Sequence, residues 1–280
     1  MTGAVFAAVL FAALCHATWN VLIKGGPDPL ASATLMALGG CVIAIAALPF
    51  LPPPAMAAWP YLAASSAIHV FYFGALIEAY RAGDLSQVYP IARGAAPLMT
   101  ALASALIVGE HLSVPAWIGI GLLAVGVLLL SAGRSLAGIN HRAVGFALFT
   151  ALTICTYSVV DGIGARKSGS PEAYVLWLFV GITITLGSYA LACRGPGILT
   201  TIAPFWRRGL GGGGLQIASY GIALWAMTLA PIAVVAALRE TSVLFGAALA
   251  LLILKEPVRA GRIAAAVLIL GGLVLLRIET

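Results

Sequence analysis

The sequence predicts an all-α membrane protein with ten transmembrane helices, arranged as two inverted five-helix repeats. Hydrophobic residues make up 62% of the chain and charged residues 9%, and the mean hydropathy is +1.07. Soluble domains carry roughly a quarter charged residues, so this composition indicates a protein that crosses the bilayer several times. The segment from Arg93 to Gly126 is similar in its order of residue types to the segment from Arg239 to Gly272. Such an internal repeat indicates a duplicated unit.

Ten apolar segments have the length of a membrane span, which needs about 20 residues. Glycine, proline and charged residues separate them. In chain order, these breaks include Gly25-Gly26-Pro27, Pro52-Pro53-Pro54, Ala82-Gly83-Asp84, His111 to Pro115, Gly195-Pro196-Gly197, Ala230-Pro231 and Pro257. The predicted spans cover residues 3 to 23, 30 to 51, 59 to 80, 86 to 108, 114 to 133, 143 to 164, 173 to 193, 209 to 229, 232 to 254 and 262 to 277.

The repeat predicts two units, residues 1–133 and residues 143–278, with five spans each. An odd number of spans forces the second unit to enter the membrane in the opposite orientation. Inverted repeats are typical of secondary transporters, which bind substrate near the midplane between the halves. The N-terminus lacks the positive segment of a signal peptide, so we expect the first helix to stay in the mature protein.

The distribution of lysine and arginine predicts that both termini lie outside the cytoplasm of a bacterial-type inner membrane. The even-numbered loops and the tails hold Arg166, Lys167 and Arg277. Positively charged loops tend to stay in the cytoplasm, and the odd-numbered loops hold the larger set. That set is Lys24, Arg81, Arg134, Arg142, Arg194, Arg207, Arg208, Lys255, Arg259 and Arg262.

Ionisable residues within the spans are candidates for function, because they are costly in the bilayer interior. Arg93 and Arg239 occupy matching positions in the fourth and ninth spans, and Glu240 adjoins the second arginine. A structural ion pair and contact with a substrate are both open for the two arginines. Asp161 lies near the end of the sixth span, where we expect it to reach water. Glu78 is spaced for a local pair with Arg81.

Polar and aromatic residues at similar depths suggest a cavity. His16, Trp19 and Asn20 lie within one and a half turns of the first span, so at least two of them face the same way. Tyr157, in the sixth span, corresponds to Trp19 in the repeat. A pocket lined by aromatic side chains with a few polar groups is the usual form of a small-molecule site, although packing explains many such residues. Further candidates are Tyr80, Tyr89 and Trp225.

Other features of the sequence have structural explanations. Glu110 and Glu256 follow the fourth and ninth spans, and each is expected to cap the helix that comes next. The glycines of the fifth and tenth spans indicate a scaffold or a dimer face, so a monomer and a homodimer are both open. The glycines at 209 and 211–214 favour tight packing with local flexibility. The four cysteines form no CxxC pair, and we expect no metal, no cofactor and no catalytic residues.

These features together resemble the EamA-type branch of the drug/metabolite transporter superfamily. The resemblance rests on the two five-helix units, the segment HATWN up to Lys24, its counterpart CTYSVVDGIGARK, and the Gly-Glu or Lys-Glu pair that closes the fourth and ninth helices. It implies a central cavity between helices one, three, four, six, eight and nine, and termini in the cytoplasm, the reverse of the charge prediction. Carried onto this chain, it implies binding residues at His16, Trp19, Asn20, Tyr80, Tyr89, Arg93, Tyr157, Asp161, Trp225 and Arg239.

The expected function is export of small metabolites by alternating access, with aromatic or large apolar amino acids as cargo. An arginine suits a carboxylate and an aromatic face suits an ammonium group. Cationic drugs, nucleotide sugars and phosphorylated metabolites are alternative cargo. An intramembrane enzyme is a different class, but paired aspartates, a Ser-His couple and HExxH are missing at credible spacing. A helical receptor would not require polar groups at the midplane of both halves. No cluster of basic and aromatic residues indicates nucleic acid, so the expected partners are the substrate and the lipid bilayer.

Overall fold

The computed structural model describes residues 1–23, 29–82, 85–131, 140–254 and 260–278, and all regular elements in these ranges are helical. Short 3-10 turns precede α3 and α9, and a π-helical turn, Ser104–Val108, continues α4. The α-helices are α1 Gly3–Ile23, α2 Pro29–Ala47, α3 Trp59–Ala82, α4 Leu85–Ala103, α5 Val114–Ser131, α6 His141–Ser168, α7 Pro171–Arg194, α8 Gly197–Ile202, α9 Trp206–Leu229, α10 Ile232–Arg239, α11 Ser242–Leu254 and α12 Ala260–Ile278.

The predicted all-helical membrane protein is confirmed. In the described part of the chain, six helical segments are long and apolar enough to cross a bilayer, and they include α1, α2, α6 and α7. The count of ten spans and the inversion of the repeat stay predictions. Differences from the predicted spans occur at their ends: α6 continues to Ser168, α9 already begins at Trp206, and the short helix α8 lies in the loop before it.

The ninth predicted span, residues 232 to 254, is formed by two helices with a break between them. α10 ends at Arg239 and α11 begins at Ser242. At the break, the N–H of Thr241 donates to the carbonyl of Leu238 at 3.1 Å, a tighter turn than that of an α-helix. The Thr241 hydroxyl donates to the same carbonyl at 2.7 Å. Such a bond from a side chain to the backbone competes with the regular helical pattern.

Helices from the first part of the chain pack against helices from the second. α3 packs against α6, and α9 packs against α1; likewise α2 packs against α9, and α7 packs against α3. α5 and α12, the last helices of the two halves, pack against each other. Near the termini, Arg277 donates from Nη1 to the carbonyl of Met1 at 3.3 Å, which brings both ends of the chain to the same side of the helix bundle.

Glycines allow the closest of these approaches. A methyl group at Gly213 of α9 would lie 2.7 Å from the carbonyl carbon of Gly39 in α2. The glycine run at the start of α9 therefore allows close packing against α2, as predicted from the sequence. A methyl group at Gly272 of α12 would lie 2.6 Å from the carbonyl oxygen of Gly119 in α5. Gly119, Gly126 and Gly272 thus form a close contact between α5 and α12 within the chain, while Gly121 and Gly261 have open space around them.

Candidate functional site

A buried ion pair joins the fourth helix to the break between α10 and α11. Arg93 Nε lies 2.8 Å from Glu240 Oε2, and both side chains are almost completely buried. The contact is a close ion pair without the alignment of a hydrogen bond. Arg93 also donates from Nη2 to the Ser242 hydroxyl at 3.0 Å. The carboxylate that adjoins Arg239 in the sequence is thus engaged by the other arginine.

Arg239 has a different environment. It is 9% exposed, and its guanidinium carbon lies 4.8 Å from the centroid of the Tyr220 ring, a distance that fits a cation–π interaction. Its Nε is buried without a hydrogen-bond partner among the described residues. The last turn of α10 thus holds a guanidinium group with a donor still to be satisfied.

Asp161 is completely buried, so the prediction that it reaches water was wrong. α6 continues to Ser168 and thereby places Asp161 almost two turns from the helix end, facing α7 and α9. The Tyr174 hydroxyl donates to Oδ1 at 2.9 Å and the Tyr220 hydroxyl donates to Oδ2 at 2.5 Å. Two donors from two helices compensate the burial of this carboxyl group. Tyr220 therefore contacts Asp161 through its hydroxyl and Arg239 through its ring.

Aromatic rings extend this cluster towards α3. The ring of Tyr157 stacks on His69 with 4.5 Å between centroids, and it meets the Tyr220 ring edge to face at 6.2 Å. Tyr72 lies edge to face against Tyr157 at 5.8 Å. His69 is held in place because its Nδ1 lies 2.8 Å from the carbonyl of Ser65. The result is a wall of rings from α3, α6 and α9.

The first span contributes a second set of predicted residues. His16 and Trp19 contact each other edge to face, with 5.0 Å between their rings. Electrostatic interactions link His16 with both Arg93 and Arg239. The Asn20 amide donates to the carbonyl of His16 at 2.8 Å, so this side chain has a local partner within its own helix. All three side chains are half-buried.

The structure thus brings several predicted site residues together and leaves others apart. His16 and Tyr157 each interact electrostatically with both Arg93 and Arg239. Trp225 is half-buried and packs against the apolar core. The side chains of Tyr80 and Tyr89, both candidates, lie outside the described residues, as does that of Arg81. The expected Glu78–Arg81 pair is therefore untested; Glu78 lies 3.8 Å from the exposed Arg142.

At one end of the bundle, a network of hydrogen bonds joins the loop after α4 to α6, α9 and α10. Glu110 Oε1 accepts from the backbone N–H of Ile232 at 2.8 Å, and Oε2 accepts from that of Ala233 at 3.3 Å. The Arg166 guanidinium donates to Glu110 Oε1 at 2.7 Å and to the carbonyls of Met227 and Ala230 at the end of α9. These contacts satisfy backbone groups that helix ends leave unpaired.

Glu110 therefore caps α10, and the prediction that it caps the helix that follows it was wrong. α5 has its own cap, since the N–H of Ala116 donates to the Ser113 hydroxyl at 3.2 Å. A negative side chain at the N-terminus of α10 is favourable, and Glu110 reaches it because the positive φ of Gly109, 76°, turns the chain at the end of the fourth helix. Glu256, the matching residue of the ninth span, lies outside the described residues.

The sequence marks His69 as an ionisable group within a span and Tyr220 as an aromatic pocket candidate, but neither was placed among the binding residues, and Tyr174 was missed. Tyr174 lies in the first turn of α7, where the sequence shows only an aromatic residue near a membrane interface. Its contact with Asp161 depends on how α6 and α7 pack. Tyr220 does carry a signal, since it is a polar aromatic residue in the interior of a predicted span. The stack of His69 on Tyr157 required the pairing of α3 with α6.

A separate groove lies between α2, α8 and the start of α9, with a volume of about 420 Å³. Its lining is apolar and includes Leu35, Leu199 and Trp206, so it resembles a surface for lipid chains and not the polar site in the interior. Among the described residues, no group of three or more His, Cys, Asp and Glu side chains is arranged to hold a metal.

The fold and the site define a multi-pass helical membrane protein whose interior combines arginine, carboxylate and aromatic groups. Residues 2–132 match the model of the EamA-like transporter family. This part of the chain, close to half of its length, is therefore similar to the EamA-like transporters.

Solved structures share the fold. Twenty-nine chains match. One of them, a crystal structure that carries only the description "Crystal structure of protein", is 20% identical, has a TM-score of 0.77 and aligns over 100% of both chains. At this identity the likeness concerns the fold alone. No curated protein matches the chain.

Proposed function

We propose that this chain is a secondary active transporter that exports small amphipathic metabolites by alternating access, with aromatic and large apolar amino acids as its cargo. The observation that carries the proposal is the buried Arg239, whose Nε has no partner among the described residues and whose guanidinium lies over the Tyr220 ring. A cation held against aromatic rings inside a membrane protein suits a substrate with a carboxylate and an apolar body.

The proposal includes two inverted units, residues 1–133 and residues 143–278, with α10 and α11 counted as one interrupted span among ten. The packing of the helices supports this arrangement, because contacts between the units have counterparts. If every helix is replaced by the matching helix of the other unit, the contact of α3 with α6 becomes that of α9 with α1, which is also present. In the same way, the contact of α2 with α9 becomes the contact of α7 with α3, and both are present. The Arg93–Glu240 ion pair joins the two units at the centre. Transporters built in this way hold substrate between the units and often use broken helices there.

The charges of the site favour a zwitterion. Arg239, over the Tyr220 ring, presents a positive group, and Asp161, hydrogen-bonded to the Tyr220 hydroxyl, supplies a negative one. The rings of Tyr157 and His69 offer faces for an ammonium group or an aromatic side chain. An amino acid with a bulky apolar side chain combines all three features in one molecule.

We place the protein in a bacterial-type inner membrane, with both termini outside the cytoplasm. The excess of lysine and arginine in the odd-numbered loops supports this orientation. The contact between Arg277 and Met1 supports an even number of crossings, because it brings both ends of the chain to the same side. A reporter fused after Thr280 is expected to signal from the periplasm, and a cytoplasmic signal would reverse the assignment.

Counterflow in proteoliposomes tests the function. Vesicles are preloaded with one unlabelled amino acid at a time, and uptake of labelled phenylalanine is followed. We expect exchange with aromatic and bulky apolar amino acids, and a reduced rate in Trp19→Ala. Trp206→Ala is the matched control, because Trp206 is 55% exposed on the outside of the bundle. Absence of exchange with every amino acid would show that the cargo belongs to another class.

A further inference from the structure

The two arginines at matching positions of the repeat differ in their partners. Arg93 has an acidic partner, Glu240, at 2.8 Å and a hydroxyl partner, Ser242, at 3.0 Å. Arg239 has a cation–π contact with Tyr220, and no hydrogen bond or ion pair joins it to another described residue. The repeat has thus placed two equivalent cations in the interior, and the structure neutralises one of them directly.

We propose that Arg239 binds the carboxylate of the substrate, while Arg93 is a positioning residue whose charge Glu240 balances. This assignment rests on the proposed function and specifies the anion-binding subsite within it. A guanidinium group whose Nε donor is buried without an acceptor is unfavourable. A carboxylate that accepts from Nε and a terminal nitrogen in the bidentate arrangement satisfies that donor.

The break in the ninth span supports this subsite. α10 ends at Arg239 and α11 begins at Ser242, so the N-terminal end of a 13-residue helix follows Arg239 directly in the chain, and its first residue contacts Arg93. Helix N-termini favour negative groups, and broken helices serve this purpose in secondary transporters. Glu240, the carboxylate nearest in sequence, is directed to Arg93. The buried Nε of Arg239 therefore has no hydrogen-bonded carboxylate partner among the described residues, and in the proposed subsite the substrate supplies its acceptor.

The surroundings restrict the anion to one negative charge. Asp161 shares Tyr220 with Arg239, and its oxygens lie 2.9 Å and 2.5 Å from the hydroxyl groups of Tyr174 and Tyr220. A dianionic phosphate ester at Arg239 would bring a second negative charge towards this buried carboxyl group, and Arg93, the other arginine of the site, is already paired with Glu240. A monocarboxylate adds a single charge that Arg239 balances. The Tyr157 and Tyr220 rings then lie next to the apolar body of the ligand.

The test compares three probes that share a phenyl ring: phenylalanine, 3-phenylpropionate and 2-phenylethylamine. Their dissociation constants are measured by calorimetry on the purified full-length protein, in wild type, Arg239→Gln and Arg239→Lys. Arg142→Gln is the matched control, since it removes the same charge from a side chain that is 72% exposed. Size-exclusion chromatography establishes that each variant is folded and monodisperse.

We expect wild type to bind both carboxylate probes at least 10-fold more tightly than the amine. Arg239→Gln is expected to weaken the binding of both carboxylates at least 10-fold, a loss of about 1.4 kcal/mol or more, and Arg142→Gln to leave it unchanged. Arg239→Lys keeps the charge and loses the Nε donor, so we expect an intermediate loss of about 3- to 10-fold. If Arg239→Gln does not fold, the carboxylate affinity of Arg239→Lys tests the subsite on its own.

Unchanged carboxylate affinity in either folded Arg239 variant would overturn the subsite, as would a wild type that binds neither carboxylate or prefers the amine. The two proposals fail separately. If 3-phenylpropionate binds through Arg239 but no amino acid is exchanged, the proposal of amino-acid cargo is wrong and the proposed subsite is supported. If phenylalanine is exchanged and Arg239→Gln keeps full activity, the proposed cargo is supported and the proposed subsite is wrong.

Discussion

The carboxylate of Glu110 accepts a hydrogen bond from the backbone N–H of Ile232 at 2.8 Å, so a residue of the first half of the chain caps a helix of the second half. The capped helix, α10, is eight residues long and ends at Arg239. At a rise of 1.5 Å per residue, Arg239 lies about 10 Å along the axis from the cap. Glu110 therefore helps to fix the depth at which the candidate anion-binding residue is held.

Replacing Glu110 by alanine should lower the thermal stability of the protein in a fixed detergent and lipid mixture. The change removes a helix cap and an acceptor for Arg166. A cap contributes about 0.5 to 2 kcal/mol, which corresponds to a decrease in Tm of roughly 1 to 8 °C for a chain of this size class. Glu172→Ala, at the exposed first turn of α7, is the control. A loss of transport with unchanged Tm would show that Glu110 acts in the transport cycle and not in capping.

Arg93 and Glu240 should show strong coupling in a double-mutant cycle. Removing one partner of a buried ion pair leaves a charge uncompensated, at a cost of roughly 3 to 5 kcal/mol, whereas removing both partners costs less than the sum. We expect Arg93→Gln and Glu240→Gln each to lower Tm markedly, and the double variant to regain part of the loss. Additive effects of the two substitutions would contradict the ion pair at 2.8 Å.

How much of the site the sequence predicted differs between residues. Arg93 and Arg239 were recognisable because charges inside apolar spans are rare and because the two match in the repeat. Their difference was not predictable, since it depends on Glu240 turning to Arg93 across the bundle. The role of Glu110 was assigned to the wrong helix for the same reason: helix N-termini that are distant in sequence meet at one end of the fold. Hydropathy predicts the approximate lengths of the spans, but it does not predict which side chains meet between helices that are distant in sequence.

The two tyrosines on Asp161 should contribute to stability by similar amounts. Tyr174→Phe and Tyr220→Phe each remove one donor to a buried carboxyl group, and hydrogen bonds to charged groups are worth about 1.5 to 3 kcal/mol. We expect either change to lower Tm by several degrees. Tyr157→Phe is the control, because its hydroxyl makes no hydrogen bond to another described residue. Equal Tm values in all three variants would show that the Asp161 contacts do not stabilise the fold.

Two glycines of the same run should respond in opposite ways to alanine. A methyl group at Gly213 would lie 2.7 Å from the carbonyl carbon of Gly39, whereas nothing lies within 4 Å of a methyl group at Gly211. Gly213→Ala is therefore expected to separate α9 from α2 and to lower Tm. Gly211→Ala should leave Tm unchanged or raise it slightly, since alanine is favoured over glycine in helices by about 1 kcal/mol. A tolerated Gly213→Ala would show that this contact is not tight.

Alternating access predicts that the end of the bundle held by Glu110 and Arg166 must open during transport. Here the N–H of Ala55 donates to the carbonyl of Ser168 at 2.8 Å, which joins the loop after α2 to the end of α6. Lys167 donates to the Tyr61 hydroxyl at 3.0 Å nearby. Both contacts link the first half of the chain to the second, so a covalent link at either position should hold this end closed.

The experiment introduces cysteines at Ala55 and Ser168 in a chain whose four native cysteines are replaced, and joins them with a short methanethiosulfonate crosslinker. Backbone atoms 2.8 Å apart place the two side chains within its reach. We expect the link to stop counterflow and reduction to restore it, while each single-cysteine variant treated in the same way stays active. Full exchange in the crosslinked protein would mean that this end does not open during transport, and the proposed alternating-access cycle would then be wrong.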